Sequence, residues 1–294
     1  MKSSRILVCL TALAVSIASE PAFAAEPQLA NGRIEEFVFK KTKDKDIALS
    51  VHFPEGWKAT DKRPAIVFFF GGAWAMGSPK QFIKQAEYFA SRGMVVARAD
   101  YRVRISPVIC VEDAKSAVRW MRSHAATLGI DPERIVGSGG SAGGHLAAVT
   151  GMTDTYDSKD EDGRVSSKPN LLVLFNPVLD MEHESASAVR ELTAEEKRAI
   201  SPMLYIRKDT PPSILFYGER DGFFRQGREF VAKSKKVGNE AILLSAPDQG
   251  HGFFNGPLWL NATLVEVDRF LIAHKYLTGE PTVKESTSNL KKEE

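Results

Sequence analysis

The chain has 294 residues, 43% hydrophobic and 26% charged, with 39 Lys+Arg against 37 Asp+Glu and a formal net charge of +2. Those fractions exclude a disordered or fibrous chain. The near-balanced charge argues against a nucleic-acid or membrane partner, because no strong field of one sign exists to hold either.

The first segment reads as a leader. Lys2 and Arg5 precede an apolar run from Ile6 to Ala18, and Ala22-Phe23-Ala24 supplies the small-x-small pattern that signal peptidase cuts. The run is shorter than the roughly 20 apolar residues a bilayer-spanning helix needs. A signal peptide over residues 1–24 is therefore expected, with export to the periplasm or medium. Its removal takes away Lys2, Arg5 and Glu20, leaving 37 Lys+Arg against 36 Asp+Glu and a net charge of +1. It also takes Cys9, so Cys110 stands alone and no internal disulfide is expected. Cys110 falls in the apolar spacing of a predicted helix and reads as a buried hydrophobe.

Residues 34–40 and 47–53 are short β-prone runs joined by a charged turn, which predicts an antiparallel hairpin at a sheet edge. Residues 65–70 (AIVFFF) form an unbroken apolar run, the signature of a strand covered on both faces. Residues 94–99, 135–137, 171–175 and 214–217 repeat it, and 241–245 does so more weakly. Between them lie helical patterns around 80–91, 142–150, 224–237 and 258–275. Another places Val111, Ala114, Val118 and Met121 on one face. The alternation predicts an α/β fold: a mostly parallel central sheet with helices on both faces, in a single domain over residues 25–281. The charged stretch 179–210 interrupts it as a short cap insertion. Within it Thr193 and Glu196 form a capping box that starts a short helix. The insertion is expected above the C-terminal strand ends, where ligands bind in open parallel sheets. The polar tail 282–294 is expected to be disordered.

The strongest chemical signal is Gly139-Gly140-Ser141-Ala142-Gly143, a G-x-S-x-G placed after a predicted strand and before a predicted helix. Glycines at both ends relieve the crowding of a very tight turn, which would present Ser141 as a nucleophile at the C-terminal edge of the sheet. A serine hydroxyl needs a base to take its proton and a third group to orient that base. His251, in the Gly-flanked loop after the 241–245 strand, is the candidate base. Asp221, in the loop after the 214–217 strand, is the candidate acid, with Glu219 and Asp248 as rivals. His145 reads as a packed residue, and His52, His124, His183 and His274 as surface or packing residues. No HExxH or paired Cys/His spacing occurs, so neither a metal nor a cofactor is implied. Oxyanion donors are expected from the backbone N–H of Ala142 and from the loop Phe70-Gly71-Gly72-Ala73-Trp74.

With these residues placed, the chain resembles the α/β-hydrolase esterases of the hormone-sensitive-lipase and feruloyl/acetyl-xylan-esterase type, from about Ala65 to Phe270. Asp100-Tyr101-Arg102, Asp113, Trp120, Gly129-Ile130-Asp131-Pro132 and Gly140-Ser141-Ala142-Gly143-Gly144-His145-Leu146 carry the likeness beside the three candidate catalytic residues. The resemblance implies an α/β-hydrolase fold and a serine carboxylesterase for small acyl esters, acetyl or feruloyl groups on an oligosaccharide among them. The family's His-Gly-Gly-Gly oxyanion loop stands here as Phe70-Gly71-Gly72-Ala73, so by position Gly72 and Ala73 would donate with Ala142. Two other functions fit the same residues: a serine peptidase or amidase, and a non-catalytic binding protein on a hydrolase scaffold.

Overall fold

A computed structural model describes residues 32–182, 191–283 and 289–293. The expected leader over 1–24, His183 and the centre of the insertion, residues 183–190, lie outside the described residues. The strands are β1 (Ile34–Lys41), β2 (Asp46–His52), β3 (Arg63–Phe69), β4 (Val95–Ala99), β5 (Ile130–Gly140), β6 (Leu171–Phe175), β7 (Ser213–Gly218), β8 (Ala241–Ala246) and β9 (Lys291–Lys292). Among the described residues they form one sheet in the order β1-β2-β4-β3-β5-β6-β7-β8-β9. The run from β4 to β8 is parallel; β1, β2 and β9 are antiparallel additions at the edges.

The helices are α1 (Ile83–Ser91), α2 (Pro107–Ser123), α3 (Ala125–Leu128), α4 (Ala142–Met152), α5 (Ala194–Ala199), α6 (Phe224–Lys236) and α7 (Pro257–Ala273). Residues of α2, α3, α4 and α6 pack on one face of the sheet, those of α1 and α7 on the other. β3 makes clear why its sequence does not alternate in polarity. Ala65, Val67 and Phe69 enter one core, Ile66 and Phe68 the opposite one, and all five are buried. This is the mostly parallel sheet with helices on both faces that the strand–helix alternation predicts.

Strand order places the site. From β3 the chain goes to β4 on one side and then crosses to β5 on the other, a topological switch point. Loops leaving the C-terminal ends of strands on either side of such a point diverge and leave a crevice. In register, Phe69 lies opposite Gly139, so the loop after β3 and the turn after β5 emerge side by side.

Two expectations change. β5 runs to Gly140, beyond the apolar residues 135–137, because Ser138, Gly139 and Gly140 are paired by β6, and Ser138 and Gly139 by β3 as well. Pairing on both sides overrides the poor strand propensity of glycine. Within the tail expected to be disordered, residues 291–293 are placed against the sheet. Lys291 and Lys292 pair with the free edge of β8, and the Glu293 carboxylate accepts from Ser245 Oγ at 2.6 Å and Arg228 Nη2 at 2.8 Å. Polar composition does not reveal that contact, since backbone pairing needs no apolar side chain. The capping box of α5 forms as expected, with Glu196 N–H donating to Thr193 Oγ1 and Thr193 N–H to Glu196 Oε2.

Two buried histidines set a pH dependence. His52 Nε2 accepts from Arg98 Nε at 2.8 Å; burial first, and the Arg98 charge second, lower its pKa from 6.5 to about 4. His145, wholly buried on α4, donates from Nε2 to the Ile200 carbonyl at 2.7 Å, and burial lowers its pKa likewise to about 4. Both folded-state values lie below the unfolded one, so between pH 6.5 and 4 the unfolded chain takes up protons the native chain refuses. Stability is full above pH 6.5 and falls as pH drops, by a few kcal/mol in total, to order of magnitude. Shifted carboxylates such as Asp131 and Asp157 act only below their ordinary 3.8, outside this window. The urea midpoint should therefore drop between pH 6.5 and 4, and less steeply in His145→Gln, whose amide can still donate to Ile200.

Candidate active site

The turn after β5 is strained. Ser141 has φ 54° and ψ −118°, and its N–H donates to the Phe175 carbonyl at 2.9 Å. Such a conformation costs on the order of 1–3 kcal/mol and persists where the surroundings over-determine it. Here the surroundings are backbone: a Cβ on Gly143 would sit 2.0 Å from the Phe69 carbonyl oxygen. Glycine at that position lets α4, buried at every residue, begin directly behind the serine. The side chain of Ser141 is thereby held out at the crevice.

His251 and Asp221 reach the same place from the loops after β8 and β7. Ser141 Oγ donates to His251 Nε2 at 2.8 Å, and His251 Nδ1 donates to Asp221 Oδ2 at 2.8 Å. The tautomer follows from the partner: a buried carboxylate opposite Nδ1 requires the proton there, leaving the Nε2 lone pair for the hydroxyl. The second carboxylate oxygen, Oδ1, accepts the Phe223 N–H at 2.9 Å, so the Asp221 side chain cannot swing away. Asp221 is 6% exposed.

The rival acids point elsewhere. Asp248 pairs with Arg220 at 2.6 Å and Glu219 with Lys291 at 3.0 Å, both away from the imidazole. His145 faces Ile200 and the edge of Trp74, its ring centroid 5.2 Å from the indole. Cys110 is buried, donates Sγ–H to the Arg102 carbonyl at 3.1 Å, and has its pKa pushed up by burial to about 12. A thiol held protonated in this way is no nucleophile.

The donor loop has an unusual backbone. Gly72, Ala73 and Trp74 follow one another with φ 130°, 52° and 58°. At Gly72 a Cβ would lie 2.1 Å from the Met76 carbonyl oxygen. Ala73 holds a left-handed conformation without glycine's freedom. Among the described residues, no protein acceptor takes the N–H of Gly72 or Ala73, and both residues line the cleft with Ser141. Ala142 opens α4, so its N–H has no partner within the helix. Phe70, which stands at the family's histidine position, stacks on Tyr101 at 4.1 Å and accepts from the Tyr101 hydroxyl through its carbonyl at 2.7 Å.

The cleft has a volume of about 640 Å³, and Gly72, Trp74, Met76, Asn176, Phe223 and His251 are among the residues that wall it around Ser141. A larger depression, about 910 Å³, lies at the opposite edge of the sheet among Arg122, Glu133, Lys168 and Asp209 and contains none of these side chains. Contrary to what their position in the sequence leads one to expect, the described residues of the insertion do not wall the site. Of its described residues, 179–182 and 191–210, none lines the cleft; Met203 bonds back to Leu179 and Ala199 to Thr155, which packs it beside α4. Among the described residues no group of His, Cys, Asp and Glu is arranged to hold a metal ion, and no helix is long and apolar enough to cross a membrane.

Sequence reasoning missed Asn176, immediately after β6 with φ 35°. Its Oδ1 accepts the Gly252 N–H at 3.2 Å, which turns its amide NH₂ towards His251 Nε2 at 3.3 Å. The available signal was an Asn-Pro pair at a C-terminal strand end, on the rim that carries the other three residues.

Comparison with known proteins gives a consistent picture. The BD-FAE family matches residues 49–233. Esterase LipC of Mycobacterium tuberculosis is 27% identical over 217 residues, 66% of this chain and 54% of that protein. Endo-1,4-beta-xylanase B of Butyrivibrio fibrisolvens is 28% identical over 173 residues, 54% of this chain and 27% of that protein. The chain thus spans about half the length, or less, of these curated relatives. Thermogutta terrifontis esterase 2 phosphonylated by cyclosarin superposes with a TM-score of 0.79 at 44% identity, covering 86% of this chain and 98% of that one. The same esterase has been solved phosphorylated by paraoxon and with propionate or butyrate bound.

Proposed function

The chain belongs to the BD-FAE family of hormone-sensitive-lipase-like α/β-hydrolases, and from that membership we propose that it is a serine carboxylic ester hydrolase for small acyl groups. One observation carries the reading. A hydroxyl, an imidazole and a buried carboxylate stand in a line of two 2.8 Å contacts on a G-x-S-x-G turn.

In this reading Ser141 attacks the ester carbonyl as His251 Nε2 takes its proton. Asp221 keeps Nδ1–H in place and stabilises the imidazolium that forms. The N–H groups of Ala142, Gly72 and Ala73 meet the oxyanion. His251 then gives its proton to the leaving alkoxide, and a water repeats the attack on the acyl-enzyme to release the acid.

A small acyl group is supported by the propionate and butyrate found in the related esterase, and by the size of the cleft. A carbohydrate alcohol bearing acetyl or feruloyl groups is supported by the likeness to a xylanase B. Export by the leader over 1–24 belongs to the same reading, since a polysaccharide substrate lies outside the cell. The test is a panel of p-nitrophenyl acetate, butyrate and octanoate, methyl ferulate, acetylated xylo-oligosaccharides and aminoacyl amides. Acetate and butyrate esters should turn over faster than octanoate, and the acetylated oligosaccharides should be deacetylated. Ester turnover with every carbohydrate ester inert would sink the carbohydrate part alone, and amides turned over faster than esters would overturn the ester reading.

A further inference from the structure

We propose that Gln81 and Asn255 are positioning residues that clasp the donor loop to the histidine loop, fixing oxyanion donors and general base in one geometry. The inference rests on the ester-hydrolase reading and deepens it. Gly71 N–H donates to Gln81 Oε1 at 2.7 Å, and Gln81 Nε2 donates to Asn255 Oδ1 at 3.2 Å. Asn255 Nδ2 donates in turn to the carbonyl of Gly252, the residue after His251, at 2.9 Å.

Each amide has only one orientation that fits. Gln81 must turn its oxygen to a backbone N–H, and Asn255 must turn its nitrogen to a backbone carbonyl; the remaining two atoms are then a donor and an acceptor facing each other. The loop so held contains three consecutive residues of positive φ, Gly72, Ala73 and Trp74, a conformation that needs outside support. Phe70 offers no side-chain hydrogen bond of its own, and Gln81 supplies one from ten residues along the chain. On the far side, the Gly252 N–H is held by Asn176, so Gly252 is anchored through both its backbone groups.

Both clasp residues line the cleft but belong to different loops, so a change in either one should disturb the relative placement of the donors and His251. Misplacement by a fraction of an ångström is felt in the chemical step more than in ground-state binding. The test compares wild type with Gln81→Leu, Asn255→Ala, the double variant and Gln81→Glu. Assays use p-nitrophenyl acetate and a trifluoromethyl ketone, whose adduct with Ser141 carries an oxyanion.

Each single variant should lose about 10- to 100-fold in kcat with KM changed less than about 3-fold, and ketone affinity should fall in parallel. The double variant should be no worse than the poorer single one, because either change opens the clasp. Gln81→Glu keeps the acceptor for Gly71 but not the donor for Asn255, and should fall between. Tm should move by no more than about 4 °C, since the Gln81–Asn255 and Asn255–Gly252 bonds are exposed and the Gly71–Gln81 bond is only part-buried. Unchanged kcat, a rise in KM alone, multiplying losses, or a kcat loss without loss of ketone affinity would each overturn the clasp. A wild type that turns over no ester sinks the parent reading instead. An active wild type with unaffected variants sinks only this inference.

Discussion

Replacing Ser141 by alanine should lower kcat for p-nitrophenyl acetate by about 10⁶-fold, leaving only what binding and the oxyanion donors supply. The hydroxyl oxygen is the only heavy atom removed. Alanine meets the same steric limits as serine at φ 54°, and the lost contact to His251 Nε2 faces solvent, so the fold and its Tm should be almost unchanged. Paraoxon should phosphorylate, and a fluorophosphonate phosphonylate, the wild-type chain at Ser141 and leave the variant unlabelled. The result separates an enzyme from a binding protein on the same scaffold. Retention of more than about a tenth of wild-type turnover would place the nucleophile elsewhere.

The same residues show what a sequence can and cannot carry. Ser141 was legible because its whole context is local: an apolar strand, a five-residue turn and a helix within about twenty positions. His251 was legible for a similar reason, standing between glycines after an apolar run. Asp221 was the acid chosen from its place after a strand, but the sequence alone left Glu219 and Asp248 standing as rivals. All three lie beside strand ends, and only the turn closed by Asp221 N–H on the Gly218 carbonyl decides which carboxylate faces inward. Arg220 of that turn pairs with Asp248, from the loop after β8, on the outside.

Asn176, Gln81 and Asn255 were missed for a different reason. Gln81 meets Gly71 and Asn255, and Asn176 meets His251, 10 to 174 residues away, and a polar residue in a loop carries no mark of the distant group it will meet. Apolar patterning reports which face of an element is buried, and so the architecture was readable. It reports nothing on which side of a helix an insertion will lie. So the placement of residues 179–182 and 191–210 beside α4, away from the cleft, was not readable from that pattern.

Exchanging Asp221 for asparagine should cost about 10⁴-fold in kcat, and the reason is the direction of a single proton. The substituted side chain would keep its one oxygen towards the Phe223 N–H, which donates at 2.9 Å and accepts nothing. That fixes the amide NH₂ opposite His251 Nδ1. Facing a donor, Nδ1 must become an acceptor, and the ring proton moves to Nε2, where it points at Ser141 Oγ. A nitrogen that already carries a proton cannot take one from the hydroxyl, so the nucleophile is left unactivated while every heavy atom stays in place. KM should change little, and the rate of labelling by a fluorophosphonate should fall with kcat. Glu219→Gln and Asp248→Asn touch only exposed ion pairs and should stay within about 3-fold of wild type. Should Asp248→Asn lose as much as Asp221→Asn, the 2.8 Å contact to Asp221 is not the one that orients the base.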